Sequence, residues 1–395
     1  MVIKLDMLQT LALAVIVYYI GSFVKSKIKV LEDFCIPAPV VGGILFAFLT
    51  LILNQTKILS ISMDNTLQAP FMLVFFTSIG LSANLNLIKK GSIDVLKFFL
   101  VVILLVVCQN VFGIIVAKLM GQHPLLGLLG GSISMVGGHG TGAAFGQLFE
   151  NKYGFSGATT IAMAAATFGL VAGSLIGGPL GKRLVEKNNL VKSKSETFEE
   201  VALDKESVNF DDMFKTFTVI MICIAFGTIL GEFFNKLGLT LPSYVNSMII
   251  AAIVLNIGDK TKKHKINTEA TDILGNIGLN VFLSMALINL RLWELKDVAG
   301  PILVILIIQC IIMIVMAYFV SFNLCGKDYD AAVLSAGFCG FGMGATPNGM
   351  ANMAAMTKKY TSAPRAFFVL PIVGAFLIDL SNSIIITFIL NVLKL

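Results

Sequence analysis

Apolar stretches near the length needed to cross the roughly 30 Å of bilayer hydrocarbon recur from one end of this chain to the other, and that recurrence restricts the fold before any motif is read. They lie near residues 7–24, 38–54, 68–87, 95–118, 158–180, 213–235, 242–257, 271–290, 300–322 and 366–393. A backbone in lipid finds no water to satisfy its N–H and C=O groups, so segments of this length must pair those groups internally as helices. Only 13% of the residues are charged and the mean hydropathy is +0.88, whereas a soluble domain carries about a quarter charged residues. The expected class is an all-α polytopic membrane protein with ten spans. No part reads as a large soluble domain, which argues against a soluble enzyme.

The formal charge of +6 does not point to nucleic acid, because the basic residues sit in short clusters between apolar runs, where membrane topology accounts for them. The six cysteines form no CxxC pair, so neither a disulfide framework nor a cysteine metal site is expected. The first run, Met7 to Val24, follows Lys4 as a secretory signal would. It lacks a small-x-small cleavage site and is read as a membrane helix.

Two further stretches, 125–149 and 331–356, are moderately apolar and carry closely spaced glycines, poor material for a straight lipid-facing helix. Both are expected to be re-entrant hairpins that enter and leave on one face. Residues 181–212 form the one long polar segment and are expected to be a cytoplasmic linker between a first repeat, 1–180, and a second, 213–395. The halves match when the second is set about 200 residues after the first. Gly137–Ala144 (GGHGTGAA) then falls opposite Cys339–Thr346 (CGFGMGAT), Gln109 opposite Gln309, and Pro37 opposite Pro242. Five spans per copy is an odd number, so the second copy enters the bilayer inverted, as in many secondary transporters.

Charge tests this arrangement independently of the repeat. With the N-terminus outside, only Lys4, Lys57, Lys118, Lys152, Lys236, Arg291, Lys296 and Lys394 of the 29 basic residues lie outside; the rest gather on the cytoplasmic side. Both termini are therefore expected outside the cytoplasm, the first hairpin dipping from outside and the second from the cytoplasm.

Alternate glycines in each signature let the backbone turn without a Cβ penalty, and the helix is expected to break there. A break frees N–H groups at half-helix N-termini, suited to a substrate carboxylate, and carbonyls suited to a small cation such as sodium. The candidates for substrate are Ser132, Ser134, Gly138, His139, Gly140 and Thr141 in the first signature, Gly342, Gly344, Thr346 and Asn348 in the second, and Asp379. The candidates for sodium are Gly137, Gly340, Ser335 and again Asp379. Asp379 is the one acidic residue deep in a strongly apolar span, where a carboxylate costs about 2.5 to 3.5 kcal/mol on insertion scales and so calls for a polar interior and a partner. Structural readings stand beside these. Glycines also permit close helix packing, which is the role expected of Gly173 and Gly177. Serine and threonine satisfy broken backbone, Asp379 could hold Asn382, and the amides Gln109, Asn110, Asn276, Asn280 and Gln309 could simply bridge helices. His139 faces Phe341 in the alignment of the halves, which removes a symmetric proton relay. No HExxH, GxSxG or Walker A pattern occurs, and GHGTGA lacks the strand and acidic residue of a dinucleotide site.

The stretches GGHGTGAAFGQLFENKYGF and YDAAVLSAGFCGFGMGATPNGMANM, with IPAPVVGG, FFTSIGLSANL, MAAATFGLVAGSLIGGP, LRLWEL and LPIVGAFLIDLSN, occur in order along the chain. In these it resembles the bacterial sodium/glutamate symporters over essentially its whole length. The resemblance implies sodium-driven uptake of L-glutamate across the bacterial inner membrane, a two-domain inverted repeat with one hairpin per half, a homodimer and an elevator motion. It also supports both glycine signatures and Asp379 as site candidates. Phe145 and Gly146, and Phe338 and Cys339, stand where relatives are expected to vary, which bears on substrate range. A proton-coupled or exchange carrier for another small organic anion, a channel and a membrane sensor are the alternatives.

Overall fold

The computed structural model describes residues 2–34, 36–56, 60–83, 92–190, 208–236, 241–261, 266–290, 292 and 298–393. Outside them lie Cys35, Lys57, Asn84 and Leu85, the pair Lys89 and Lys90, most of the central polar segment, the cluster Lys262, Lys263 and Lys265, Lys296, Lys394 and all of LRLWEL but Leu290 and Leu292.

In the first half the helices are α1 (Met7–Lys27), α2 (Lys29–Asp33), α3 (Ala38–Gln55), α4 (Gln68–Gly80), α5 (Ser92–Leu119), α6 (Pro124–Leu128), α7 (Gly138–Tyr153) and α8 (Ala158–Lys187). The second half contains α9 (Phe210–Lys236), α10 (Ser243–Thr261), α11 (Thr268–Ile288), α12 (Ala299–Val315), α13 (Phe322–Leu324), α14 (Tyr329–Gly342), α15 (Thr346–Lys359), α16 (Pro364–Ile372) and α17 (Ile378–Val392). π-helical turns follow α6 (Leu129–Ile133), join α12 to α13 (Met316–Ser321) and join α16 to α17 (Val373–Leu377). Each expected span coincides with helix, and among the described residues seven helices are long and apolar enough to cross a membrane. The protein is thus an all-α polytopic membrane protein in its main body. Large side chains such as Phe23 (66% exposed), Phe214, Phe226 and Leu119 stand on helix surfaces where water would penalise them and lipid does not.

Three details differ from the sequence reading. A short parallel ribbon pairs β1 (Val2–Leu5) with β2 (Ser60–Met63), four residues each, too brief for apolar alternation to signal. α8 runs on to Lys187, through the first residues of the expected linker, because Leu184 and Val185 are buried there and Gly181 faces Ala336 and Met356. α9 starts at Phe210, where Asn209 and Asp212 exchange side-chain to backbone hydrogen bonds at its first turn.

The chain folds into two compact units, and neither is a sequence half. Unit 1 comprises Met1–Asn84, Ala143–Thr160 and Lys205–Val298; unit 2 comprises Leu85–Gly142, Ile161–Asp204 and Ala299–Leu395. Each unit draws on both halves: α1 to α4, α9 to α11 and Ala143–Thr160 belong to unit 1, whereas α5, α6, the first turn of α7, α8 from Ile161 and α12 to α17 belong to unit 2, with Gly137–Gly142 and the whole second signature.

Unit 1 is held by close crossings at small residues, the packing that a lipid solvent favours. α1 meets α3 where Gly21 faces the backbone of Ala38 and Gly42, and Gly42 faces that of Val17. α4 meets α10 at Gly80 and α11 at Gly275 and Gly278, while α9 meets α10 at Gly227 and Gly231. Apolar clusters fill the remainder, one around Ala14, Val17, Met285 and Ile288, another around Leu81, Ile220, Cys223 and Ala251. Pro37 and Pro242, matched between the halves, both stand just before a helix, α3 and α10, and both accept a first-turn hydrogen bond, from Val40 and Val245.

In unit 2 the glycine ladder of α8, at Gly169, Gly173, Gly177 and Gly181, lies against α14 and the residues after it: Gly173 faces the Cys339 carbonyl and the Gly340 Cα, Gly177 the Ala336 carbonyl. This is the packing role expected of Gly173 and Gly177. At the other end of α14, Asp328 caps the helix by accepting from the Ala331 amide at 2.9 Å and pairs with Arg365, while Asp330 accepts from the Ala366 amide in the first turn of α16.

Candidate functional site

Both glycine signatures interrupt a helix. After α6, Gly131 leaves helical geometry at φ −91°, ψ −142°, and a side chain there would stand 2.9 Å from Asn110 Oδ1 and 3.0 Å from the Gln109 carbonyl. The chain then turns back through Ser134 to Gly137, where the Met135 and Gly137 amides donate to the Gly131 and Ser132 carbonyls, and α7 begins at Gly138 with φ +59°, a left-handed conformation that an L side chain resists. In the second signature α14 stops at Gly342, Ala345 is extended at φ −161°, ψ 162°, and α15 starts at Thr346 with Pro347 in its first turn. π-turns concentrate at functional sites in helical proteins, and all three among the described residues lie in unit 2.

The two interruptions meet. A Cβ on Gly138 would lie 2.9 Å from the carbonyl oxygen of Gly344, so the start of α7 and the turn before α15 are in direct backbone contact. All the candidates named above, from Ser132 to Asp379, fall in unit 2, although they come from both halves of the chain. Of the five intramembrane amides, Gln109, Asn110 and Gln309 are there too. Asn276 and Asn280 are not, and among the described residues Asn280 bonds only within its own helix, to the Asn276 carbonyl.

Around the first break a fully buried polar knot forms. Asn110 Nδ2 donates to Ser132 Oγ at 2.8 Å, and the Ser132 amide donates to Asn110 Oδ1 at 3.1 Å. Ser132 Oγ donates to Asn382 Oδ1 at 2.6 Å, and Asn382 Nδ2 returns a bond to the Ser132 carbonyl at 3.2 Å. A hydroxyl has one proton, so the Ser132 proton is committed, while its oxygen accepts from Asn110. Ser134, also fully buried, has no partner for its hydroxyl among the described residues. His139 Nε2 lies 3.0 Å from Thr167 Oγ1, which is also 2.8 Å from the Met163 carbonyl; with the Thr167 proton on that carbonyl, the imidazole donates from Nε2. Gly137 accepts from the Thr141 amide, and the buried Thr141 follows His139 and Gly140 in the first turn of α7.

The second break is held from three sides. Gln109 Nε2 donates to the Gly342 carbonyl at 2.9 Å, and Gln309 Nε2 donates to the Gln109 carbonyl at 2.8 Å, so the matched glutamines form a relay that ends on the signature. Asn348 donates to the Leu170 carbonyl and to Ser174 Oγ, anchoring α15 to α8, and Thr346 Oγ1 borders Gly374 of the third π-turn. Ser335 donates to Ser321 Oγ at 3.0 Å, and the Gly340 carbonyl accepts from the Ala345 amide. Asp379 sits one turn before Asn382 on α17; Asn382 is spent on Ser132, and no hydrogen bond or ion pair reaches the Asp379 carboxylate among the described residues. Phe338, fully buried, packs edge-on against Phe98.

Sequence reasoning missed Asn352, which donates to the Gly173 and Ala336 carbonyls and thereby seals α15 onto both α8 and α14. Its signal was its place four residues after Asn348, on the same helix face. Thr167 and Ser174 carried no pattern beyond being hydroxyls in an apolar helix.

Interrupted helices whose ends meet in the buried interior of a polytopic helical protein, with hydroxyls and amides around them, define a solute carrier of the secondary-transporter class. The chain matches the sodium/glutamate symporter family over residues 3–362 and is 42% identical to the sodium/glutamate symporter of Haemophilus influenzae over 383 residues, 95% of each chain. It is also 42% identical to that of Escherichia coli K12, over 97% of this chain and 96% of the other. It belongs to the sodium/glutamate symporter family, a family of membrane transporters and not of enzymes.

Proposed function

We propose that the protein is a sodium-coupled L-glutamate symporter of a bacterial inner membrane, with both termini outside the cytoplasm, working by alternating access. The observation that carries the reading is the contact between Gly138 and the Gly344 carbonyl, which sets a half-helix N-terminus beside a freed carbonyl. Such an end attracts a carboxylate, and such an oxygen attracts a cation. The names of the relatives, sodium/glutamate symporters, supply the solutes.

The substrate role falls to the first turn of α7 (Gly138, His139, Gly140 and Thr141), to Ser134, and to Gly342, Gly344, Thr346 and Asn348 around the second break. Asp379 faces the substrate ammonium or sodium, with Gly137, Gly340 and Ser335 as further sodium candidates. Ser132 supports the first break from behind. The two interruptions are re-entrant hairpins within an inverted repeat. Unit 2 is the carrying body of an elevator-type cycle, and the protein works as a homodimer.

In proteoliposomes, replacing an imposed sodium gradient by a potassium gradient is expected to abolish concentrative uptake of glutamate. Uptake that persists without sodium removes the coupling. Asp379→Asn is expected to insert normally and to lower sodium-dependent uptake by at least about tenfold, the loss of one charge-assisted contact of about 1.5 to 3 kcal/mol. An unchanged sodium dependence in this variant takes Asp379 out of the site.

A further inference from the structure

Gln109 and Gln309 have no place in the solute site proposed for unit 2, yet within that unit they tie its two breaks together. Both are wholly buried. At the end of α14 the Gly340 and Phe341 carbonyls accept from the Ala345 and Gly344 amides. The Gly342 carbonyl accepts from Gln109 Nε2 at 2.9 Å and, among the described residues, from no backbone amide beyond its own helix. Gly342 lies between α5 and α12: a Cβ there would stand 2.7 Å from Leu105 Cδ2, one turn before Gln109, and 3.0 Å from Met313 Sδ, one turn after Gln309. Those neighbours are apolar, so a carbonyl released where a helix ends depends on the Gln109 amide.

The same turn of α5 holds the first break. The Gln109 carbonyl and Asn110 Oδ1 stand 3.0 and 2.9 Å from where a Cβ on Gly131 would be, and Asn110 exchanges hydrogen bonds with Ser132. From α12, Gln309 Nε2 donates to that Gln109 carbonyl at 2.8 Å and so steadies the turn on which both breaks rest. Each carboxamide leaves its own oxygen, fully buried, without a hydrogen bond among the described residues. Turning it over would set oxygen against oxygen and free the nitrogen instead. An unpaired buried amide oxygen is costly, and the fold bears that cost at both matched positions to keep the two donors on these carbonyls.

We infer that Gln109 is a positioning residue for transport, holding the second break at a set distance from the first, and that Gln309 acts through it. This role rests on the transport reading of the site. Gln109 touches neither solute; it raises the fraction of molecules in which Gly138 stands beside the Gly344 carbonyl. Apparent affinity falls with that fraction, whereas solutes at saturation draw the breaks together and restore the rate.

Uptake in proteoliposomes, followed against glutamate and against sodium and normalised to inserted protein, tests the role. Gln109→Met keeps an unbranched side chain of similar length and removes the donor. It is expected to raise the half-saturating concentrations of both solutes by about 3- to 15-fold, the span of single interhelical hydrogen bonds within membranes, with the maximal rate within about twofold. Gln309→Met is expected to raise them less, and the double variant to match Gln109→Met alone, because the two act in series. Unchanged half-saturation in Gln109→Met, or a loss confined to the maximal rate, overturns the role, since a bond that serves folding alone leaves affinity untouched. A double variant whose effect is the product of the two single ones overturns the action of Gln309 through Gln109. Should Gln109→Met fail to insert, Gln309→Met decides by the same split between half-saturation and maximal rate. Absence of sodium-driven uptake in the unaltered protein overturns the transport reading and this role with it, whereas normal uptake there beside unchanged variants overturns this role alone.

Discussion

Replacing Gly138 by alanine is expected to lower sodium-driven glutamate uptake by about 10- to 100-fold while the protein still reaches the membrane. Two costs combine at this position. The left-handed backbone at φ +59° strains any L side chain, by about 1 to 2 kcal/mol. The added methyl also meets the Gly344 carbonyl at 2.9 Å, an atom of the backbone that cannot rotate away. One of the two interruptions must move, and displacement of binding groups by about 1 Å costs on the order of a hundredfold in a well-oriented site. Gly154 separates the two costs. Its φ is +64°, nearly the same, yet nothing lies within 4 Å of where its Cβ would be. Gly154→Ala therefore carries the strain without the contact and is expected to keep uptake within about twofold of the unaltered protein. Uptake normalised to the amount of protein in the membrane makes the comparison. Equal behaviour of the two variants would mean that the meeting of the signatures has no part in transport.

The contrast between these glycines also shows what a sequence can and cannot display. The spacing GGHGTGAA and CGFGMGAT announces that the backbone breaks, because glycines at every second position suit a turn, whereas those of α8, four residues apart, line one face of an unbroken helix. It does not announce that the breaks touch, since that depends on how residues 200 positions apart are brought together. The span pattern was legible for the same local reason: each helix is an apolar run of sufficient length, and lipid leaves the backbone little alternative. The compact units were not. The long polar segment suggests a boundary at the middle of the chain, but packing follows close crossings such as Gly80 with Met248 or Gly173 with Cys339, which join helices from opposite halves. Ser132 shows the limit at the level of one side chain. Its hydroxyl looks as available as that of Ser134 in the sequence, and only the positions of Asn110 and Asn382 reveal that its proton and one lone pair are already engaged.

These four bonds make the Asn110–Ser132–Asn382 knot the place where a polar substitution should damage stability most. Asn110→Ala removes the acceptor of the Ser132 amide and the donor to its hydroxyl. Asn382→Ala removes the acceptor of the hydroxyl proton and the donor to the Ser132 carbonyl. A buried group left without a partner costs about 1 to 3 kcal/mol. Interhelical hydrogen bonds within membranes average only about 0.6 kcal/mol, because the separated helices find other partners. With two bonds lost at groups that are entirely buried, each variant is expected to lose about 2 to 4 kcal/mol, between the sum of such averages and the full penalty. Both act through Ser132, so the double variant should lose less than the sum, by about 1 to 2 kcal/mol. Thermal unfolding in detergent of the two single variants and the double variant measures this coupling, and strict additivity would dissolve the knot into unrelated contacts. Asp379, one turn away on the same helix, should behave in the opposite way. Its carboxylate has no bond to lose among the described residues, and Asp379→Asn removes a charge from an apolar segment, so stability should hold or rise. Loss of uptake without loss of stability at Asp379, beside loss of stability at Asn110 and Asn382, separates the residue that meets the solutes from those that hold the first break open for them.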